Sequence, residues 1–148
     1  MGLIQKLRNK KVFLDTAPLI YYIEENPQYS IILNKLFLEN SKGVFLFQTS
    51  VITLLEVLVL PMRMNEIQLV EQYQNILCNS RSIDILDLNI EIAKKAAAYR
   101  AKYGLKTPDS IQIASAVNAS ADYFFTNDIR LKAVTEIEIL VLDELIKT

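Results

Sequence analysis

The sequence predicts an α/β fold in which a mainly parallel sheet carries helices on both faces. Short apolar segments without polar–apolar alternation are typical of strands that are covered on both sides. Between them lie stretches with the residue periodicity or capping signals of helices. Regular alternation of the two kinds of segment favours a parallel sheet with crossover helices. The predicted strands are Val12–Leu14, Val44–Phe47, Ile83–Leu86, Tyr123–Phe125 and Ile137–Leu142.

Start and stop signals for helices lie at the borders of these segments. Thr107 is predicted to be an N-cap, followed by Pro108 in the first turn and Asp109 at the positive end of the helix. Gly104 is the kind of residue that ends a helix, and Thr16 is predicted to open another. The predicted helical stretches between the strands are Ile31–Phe37, Ile67–Leu77, Ile92–Tyr103 and Asp109–Ala119.

Length and hydropathy predict one soluble domain. The 148 residues are enough to bury a core of their own. The mean hydropathy of +0.21 is high, yet no apolar run reaches the roughly 18–20 residues that a membrane span requires. The longest run, Val51 to Met62, contains Thr53 and Glu56. The N-terminal apolar stretch is too short for a signal peptide, so we expect a cytoplasmic protein without membrane association.

Residue usage excludes several classes of active site. The chain has no histidine and one cysteine, Cys78. It therefore lacks the parts for a Ser–His or Cys–His nucleophile, for an internal disulfide and for a zinc site. Acid–base or metal chemistry is left to Asp, Glu, Lys or Tyr. A formal net charge of −1 gives no general electrostatic sign of nucleic-acid binding.

Four carboxylates occupy positions at which α/β folds concentrate ligands. Asp15 directly follows the first predicted strand, and Asp128 comes three residues after the fourth. Asp109 opens a predicted helix, and Glu56 is the one charge in an apolar helical stretch. Ligand crevices in open α/β sheets lie outside the carboxyl ends of the strands. We therefore expect the four carboxylates to meet at that edge, with Glu56 buried.

Each carboxylate also has an ordinary structural explanation. Asp15 fits a turn, Asp109 complements the helix dipole, Asp128 suits a cap of a short helix reaching Lys132, and Glu56 suits the solvated position of a mostly buried helix. Taken together, the set favours a site for a hard divalent cation and phosphodiester chemistry. Mutual repulsion predicts a raised pKa for at least one of the four.

Four sequence pieces extend the pattern beyond the acids: Val12–Thr16, Thr53–Leu58, Thr107–Ala116 and Asp122–Asp128. In order and spacing they resemble the PIN-domain family, and within it the VapC-type toxins of prokaryotic toxin–antitoxin pairs. The resemblance implies a three-layer α/β/α sandwich around a mainly parallel sheet of four or five strands. It also implies that residues 1–148 form a single PIN-like nuclease domain.

The resemblance further implies a hydrolase, an endoribonuclease that cleaves RNA phosphodiester bonds with Mg²⁺ or Mn²⁺ as cofactor. Thr126 matches a hydroxyl residue that supports the last acid, Thr16 matches a residue that positions the first, and Asn127 is a further supporting residue. The family's acidic quartet of catalytic residues and metal ligands carries over to Asp15, Glu56, Asp109 and Asp128.

Basic residues flank the acidic positions in the sequence. Lys102, Lys106 and Arg130 are candidates for holding the RNA backbone. The alternative is that they are solvated surface charges without such a role.

A VapC-type toxin implies a homodimer that binds a small antitoxin protein. Leu19, Tyr22, Ile32 and Phe37 are candidate exposed contacts for such partners, the alternative being that they fill the core of this protein. Two other functions stay open: a catalytically inactive PIN-fold interaction protein and a stand-alone PIN nuclease of RNA processing.

Two features depart from the pattern of the toxins. Residues 1–10 precede the first strand, and Gln112 lies one helical turn after Asp109, where some relatives could place a further acid. Receiver domains and haloacid-dehalogenase-type phosphatases fit less well, because no second Asp follows Asp15 closely. The chain also has no glycine-rich phosphate loop.

Overall fold

The computed structural model describes residues 2–146. Within them, five strands form one sheet in the order β3-β2-β1-β4-β5. Every neighbouring pair is parallel, which confirms the predicted α/β class. The strands are β1 (Lys11–Leu14), β2 (Leu46–Ser50), β3 (Ile83–Leu86), β4 (Tyr123–Thr126) and β5 (Glu138–Val141).

Helices connect the strands, and none of those in residues 2–146 is long and apolar enough to cross a bilayer. A 3₁₀ helix, Ile129–Ala133, follows β4. The α-helices are α1 (Leu3–Leu7), α2 (Thr16–Ile23), α3 (Ser30–Ser41), α4 (Val51–Arg63), α5 (Ile67–Cys78), α6 (Ile90–Tyr103), α7 (Thr107–Asn118) and α8 (Leu142–Leu145).

Two hydrophobic clusters lie on opposite faces of the sheet and make the fold a three-layer sandwich. Successive strand residues point to opposite faces, so Val12 and Leu14 enter one cluster and Phe13 enters the other. The first cluster includes residues from α1 to α5, and the second lies beneath α6 and α7. Phe13 stacks on Phe124 at 5.3 Å between ring centroids, which ties β1 to β4.

The second strand differs from its prediction. It runs from Leu46 to Ser50 instead of Val44–Phe47. Its last three residues are polar, and polar residues normally signal the end of a strand in a sequence. Here they are buried and paired with β3. The strand therefore delivers Ser50 and the start of α4 to the carboxyl edge of the sheet.

The predicted N-cap of α7 is wrong by one residue. Thr107 is the first residue of the helix, and Lys106 occupies the cap position without a side-chain cap. The Thr107 hydroxyl instead accepts a hydrogen bond from Arg100 at 2.6 Å. The predicted terminator Gly104 is confirmed, because it ends α6 in the left-handed conformation with φ of 69°.

The apolar residues proposed as partner contacts are mostly part of the core. Leu19 and Phe37 are buried, and Tyr22 and Ile32 are half-buried and pack against the same cluster. Tyr22 stacks on Phe37 at 3.8 Å between ring centroids. Several other large apolar residues are exposed, and six of them lie in one segment that we call the α4–α5 surface: Leu55, Val59, Leu60, Met62, Met64 and Ile67.

Candidate active site

The strand order places a topological switch point between β1 and β4. From β1 the chain builds outward through β2 and β3, and then crosses to β4 and β5 on the other side of β1. Crevices at such reversals are the usual ligand sites of open α/β sheets. Asp15 directly follows β1, and Asp128 follows β4 by two residues. Both candidate acids therefore lie at the switch point.

Asp15 is held by two hydrogen bonds. Its Oδ1 accepts from the backbone N–H of Thr16 at 2.9 Å, and its Oδ2 accepts from the Thr126 hydroxyl at 2.8 Å. The pKa of Asp15 is raised to about 6. Burial is the largest cause, the negative charges of Asp109 and Glu56 also raise the pKa, and the two hydrogen bonds lower it. The carboxyl group is thus fixed in place yet costly to ionise.

Asp109 lies in the first turn of α7 and is half-buried. Burial raises its pKa, and the charge of Asp128 adds to the shift. The cations Arg130 and Lys106 act in the opposite direction. The sequence predicted a raised pKa for at least one acid, and Asp15 and Asp109 both confirm it. Burial has the larger effect on both, ahead of the mutual repulsion on which the prediction was based.

Asp128 caps the 3₁₀ helix and pairs with Arg130. Its Oδ1 accepts from the backbone N–H and from Nε of Arg130, both at 3.0 Å, and its Oδ2 accepts from Nη2 at 2.7 Å. These contacts hold the pKa of Asp128 below its usual range. The local role weighed in the sequence, that of a helix cap, is thus present. A forked ion pair with Arg130 accompanies it.

Glu56 is exposed, which corrects the expectation of a buried carboxylate. The apolar run around it forms α4, but that helix buries only Thr53, Val57 and Pro61. The carboxylate is nevertheless oriented, because Oε1 accepts a hydrogen bond from the Thr16 hydroxyl at 2.6 Å. Thr16 therefore holds two acids at once, Asp15 through its backbone and Glu56 through its side chain.

Asn127 fixes the loop between Thr126 and Asp128 and does not hydrogen-bond to the acids. Its Nδ2 donates to the Tyr29 hydroxyl at 3.1 Å, and its Oδ1 accepts from the backbone N–H of Asp143 at 2.9 Å. Tyr29 closes the triangle by donating to Asp143 Oδ1 at 2.6 Å. The loop that carries Asp128 is thereby tied to the start of α3 and to α8.

The four acids share one edge of the sheet but do not form a finished ligand set. Within residues 2–146, no three acidic or thiol side chains converge in an arrangement that could hold a metal ion. Glu56 is turned to Thr16 and Asp128 to Arg130. In chemistry the donor set does fit a hard cation, because it consists of carboxylate oxygens with hydroxyl neighbours. The charges of Asp109 and Glu56 also reach Asp15.

A comparison with protein families identifies the fold. The model of the PIN domain matches residues 12–137. The chain belongs to the PIN-domain family. The match begins at β1 and ends just before β5, so it contains all four candidate acids.

Solved structures show the same PIN architecture. VapBC2 from Rickettsia felis, bound to a DNA fragment from its promoter, is similar with a TM-score of 0.70 and 17% identity over 88% of this chain and 98% of that chain. VapC20 from Mycobacterium tuberculosis, a sarcin–ricin-loop-cleaving toxin, has a TM-score of 0.66 and 13% identity over 86% and 98%. A toxin–antitoxin complex from Klebsiella pneumoniae has a TM-score of 0.65 and 19% identity, over 88% of this chain and 97% of that chain.

At these identities the likeness establishes the shared fold. A comparison of the sequence with curated proteins gives no match.

The three cations proposed for RNA binding differ in how they are engaged on this PIN domain. Lys102 is paired with Glu136 at 2.9 Å, and Arg130 is paired with Asp128. In the part of the chain that the structure describes, Lys106 makes no ion pair, and it lies close enough to lower the pKa of Asp109 and of Asp128. Of the three, Lys106 is therefore the cation whose charge acts on the acids without an ion-pair partner among the described residues.

Sequence reasoning assigned no role to three polar residues beneath the acids. Ser50, Thr53 and Gln112 are buried and hydrogen-bonded to one another. One signal was present, since Ser50, Thr53 and Glu56 recur at every third position through an apolar run. That spacing places polar groups along one side of a helix.

Proposed function

We propose that this PIN domain is a metal-dependent endoribonuclease that hydrolyses RNA phosphodiester bonds with Mg²⁺ or Mn²⁺. One observation carries the proposal: acids from four separate elements share the switch-point edge of the sheet. Asp109 and Glu56 are close enough to raise the pKa of Asp15, and Asp128 is close enough to raise that of Asp109. Concentrated negative charge of this kind is costly unless a cation offsets it.

Asp15 and Asp109 are the proposed direct ligands, with Glu56 and Asp128 completing the coordination directly or through water. A bound divalent ion supplies a water of lowered pKa and compensates charge on the scissile phosphate. Thr16 and Thr126 keep the Asp15 carboxylate oriented for that purpose. The chain has no histidine to act as acid or base, which favours hydrolysis to 5′-phosphate and 3′-hydroxyl ends over a metal-free route through a cyclic phosphate.

We further propose that the protein is the cytoplasmic toxin of a toxin–antitoxin pair. The support is the likeness to VapC proteins, several of which are seen in complexes with their antitoxins. In this role it forms a homodimer and binds a small antitoxin. The α4–α5 surface supplies exposed apolar area for protein contacts, in place of the mostly buried residues first considered.

The test is cleavage of a mixed RNA pool with Mg²⁺ or Mn²⁺, with product ends mapped. The wild type should leave 5′-phosphates, and Asp15→Asn should be inactive while remaining folded. Asp122→Asn is the matched control, because Asp122 precedes β4 at the opposite edge of the sheet. Full activity of Asp15→Asn would contradict the assignment.

Absence of cleavage and of divalent-ion binding in the wild type would favour the inactive interaction protein. Cleavage by a chain that has no antitoxin would instead favour a stand-alone RNA-processing nuclease.

A further inference from the structure

Three polar side chains lie fully buried beneath the candidate acids. Ser50 and Thr53 are 0% exposed and Gln112 is 1% exposed. Ser50 ends β2, Thr53 lies in the first turn of α4, and Gln112 lies on α7. Buried polar groups are costly unless they are hydrogen-bonded. Their position on three converging elements raises the question of what their hydrogen bonds support.

The three residues form a continuous chain that reaches Glu56. The Ser50 hydroxyl donates to Gln112 Oε1, and Gln112 Nε2 donates to Thr53 Oγ1 at 2.6 Å. Thr53 Oγ1 lies 3.4 Å from Thr16 Oγ1, which is the longest step. Thr16 Oγ1 then donates to Glu56 Oε1 at 2.6 Å. A buried polar path therefore runs from the end of β2 to an exposed carboxylate.

The chemistry of the groups fixes the direction of this chain. A carboxylate only accepts, so the single hydrogen of the Thr16 hydroxyl is used on Glu56. The Thr53 hydroxyl must then donate to Thr16, and it accepts from the Gln112 amide. Gln112 Oε1 only accepts, so Ser50 must donate to it. Every donor points toward Glu56, and hydrogen bonds aligned in this way polarise one another.

We propose that Gln112 is a positioning residue that orients the Glu56 carboxylate through Thr53 and Thr16. Both ends of its side-chain amide take part. The oxygen accepts the hydrogen bond from Ser50, and the nitrogen donates to Thr53, so that the Thr53 hydroxyl is left to donate toward Thr16. Gln112 also lies one helical turn after Asp109, so the same contacts dock the first turns of α7 against β2 and α4. The inference rests on the proposed metal-dependent function and names how one of its ligands is held.

The chain offers a matched control for the loss of a buried glutamine. Gln48 lies on β2, two residues before Ser50, and is 5% exposed. Its Oε1 has no hydrogen-bond partner among the residues that the structure describes. Gln48→Met and Gln112→Met both replace a buried amide by a side chain of similar length. Only the second change breaks the path to Glu56.

The experiment measures Mn²⁺ affinity by the loss of the free-ion electron paramagnetic resonance signal, with thermal unfolding as a check of folding. Gln112→Met should weaken Mn²⁺ binding by about 10- to 100-fold, the usual effect of losing a group that orients a ligand. Thr53→Val, which is nearly isosteric, should weaken it similarly. Thr53→Ser keeps the hydroxyl and should bind like the wild type, as should Gln48→Met.

The outcomes separate this inference from the proposed function. Wild-type affinity in Gln112→Met or in Thr53→Val would overturn the positioning role and leave the nuclease proposal intact. Equal weakening in Gln48→Met would also overturn it, because the effect would then come from general damage to the core. A wild-type protein that binds no Mn²⁺ would overturn the proposed function, and this inference with it.

Discussion

Thr126 connects Asp15 and Asp128 through one hydroxyl group. Its Oγ1 donates to Asp15 Oδ2 at 2.8 Å and accepts from the backbone N–H of Asp128 at 3.1 Å. Asp15 and Thr126 are 111 positions apart in the sequence, and the two strands that bring them together flank the switch point. This buried residue therefore sets the distance between two of the four acids.

Loss of the Thr126 hydroxyl should damage the site more than the fold. In Thr126→Val, Asp15 loses a donor and the Asp128 backbone N–H loses its acceptor, so divalent-ion affinity and cleavage rate should fall by about 10- to 100-fold. Calorimetric titration with Mn²⁺ and initial cleavage rates measure the two effects. Thr126→Ser retains the hydroxyl and should keep most of both. Equal losses in the two variants would show that the effect is not specific to the hydroxyl group.

Asp15→Asn should stabilise the protein at neutral pH without divalent ions. The native pKa of about 6 lies above the ordinary value of 3.8, so the native state binds more protons between these two values. The free energy of unfolding therefore falls as pH rises from about 4 to 6. The uncharged amide of the Asp15→Asn variant avoids this loss of stability, which is on the order of 2–3 kcal/mol above pH 6.

Urea unfolding at pH 4 and pH 7.5 measures the gain in the free energy of unfolding of Asp15→Asn over the wild type. The gain should be present at pH 7.5 and nearly absent at pH 4. Asp84→Asn is the control, because Asp84 is exposed on the edge strand β3. This substitution changes the net charge by the same amount as Asp15→Asn. A stability gain of the same size in Asp84→Asn would assign the effect to net charge instead of burial.

Lys106→Gln should weaken RNA binding and reduce its salt dependence. Lys106 has no ion-pair partner within residues 2–146, so its charge is available to a phosphate. Removing one phosphate contact should lower the slope of log K against log salt by about one. Fluorescence anisotropy with a catalytically inactive background measures the slope.

Lys102→Gln is the comparison for that measurement, since Lys102 already pairs with Glu136 at 2.9 Å. We expect its slope to change less than that of Lys106→Gln. A larger change of slope in Lys102→Gln than in Lys106→Gln would indicate that the RNA passes closer to α6.

Tyr29→Phe should destabilise the loop that carries Asp128. The Tyr29 hydroxyl donates to Asp143 and accepts from Asn127, and its removal leaves both without that partner. The expected cost is about 1–3 kcal/mol in the free energy of unfolding. Denaturant unfolding measures it, and amide hydrogen exchange at residues 126–128 localises it.

Tyr21→Phe is the control for this variant, because Tyr21 stacks on Tyr29 at 4.8 Å between ring centroids. Within the described residues its hydroxyl makes none of the hydrogen bonds found at this loop. Similar unfolding curves for the two variants would show that the hydroxyl triangle contributes little.

The fold was predictable because its signals are local. Covered parallel strands appear in the sequence as apolar runs, as Val12–Leu14 in β1 and Tyr123–Phe125 in β4 do. The edge strand Ile83–Leu86 also has the bounds predicted for it. The second strand was misplaced because its polar end, from Gln48 to Ser50, is buried for reasons that only the tertiary structure reveals. Local rules place polar residues in loops, and here the sheet carries them inward to the site.

The site was predictable in position but not in its support. Asp15 and Asp128 follow strands, and the carboxyl ends of parallel strands share one edge. The exposure of Glu56 depends on which face of α4 meets the core, and the structure bears out the alternative of a solvated position over the expected burial. The bond from Gln112 to Thr53 joins residues 59 positions apart, and no periodicity within one element encodes such a contact.

The central place of β1 in the sheet has a consequence for synthesis. Its two neighbours are β2, made soon after it, and β4, which begins at Tyr123. A growing chain can pair β1 with β2 early, but Thr126 and Asp128 reach Asp15 only after the ribosome has released residues far downstream. The order of the strands therefore delays assembly of the candidate site until β4 has been made.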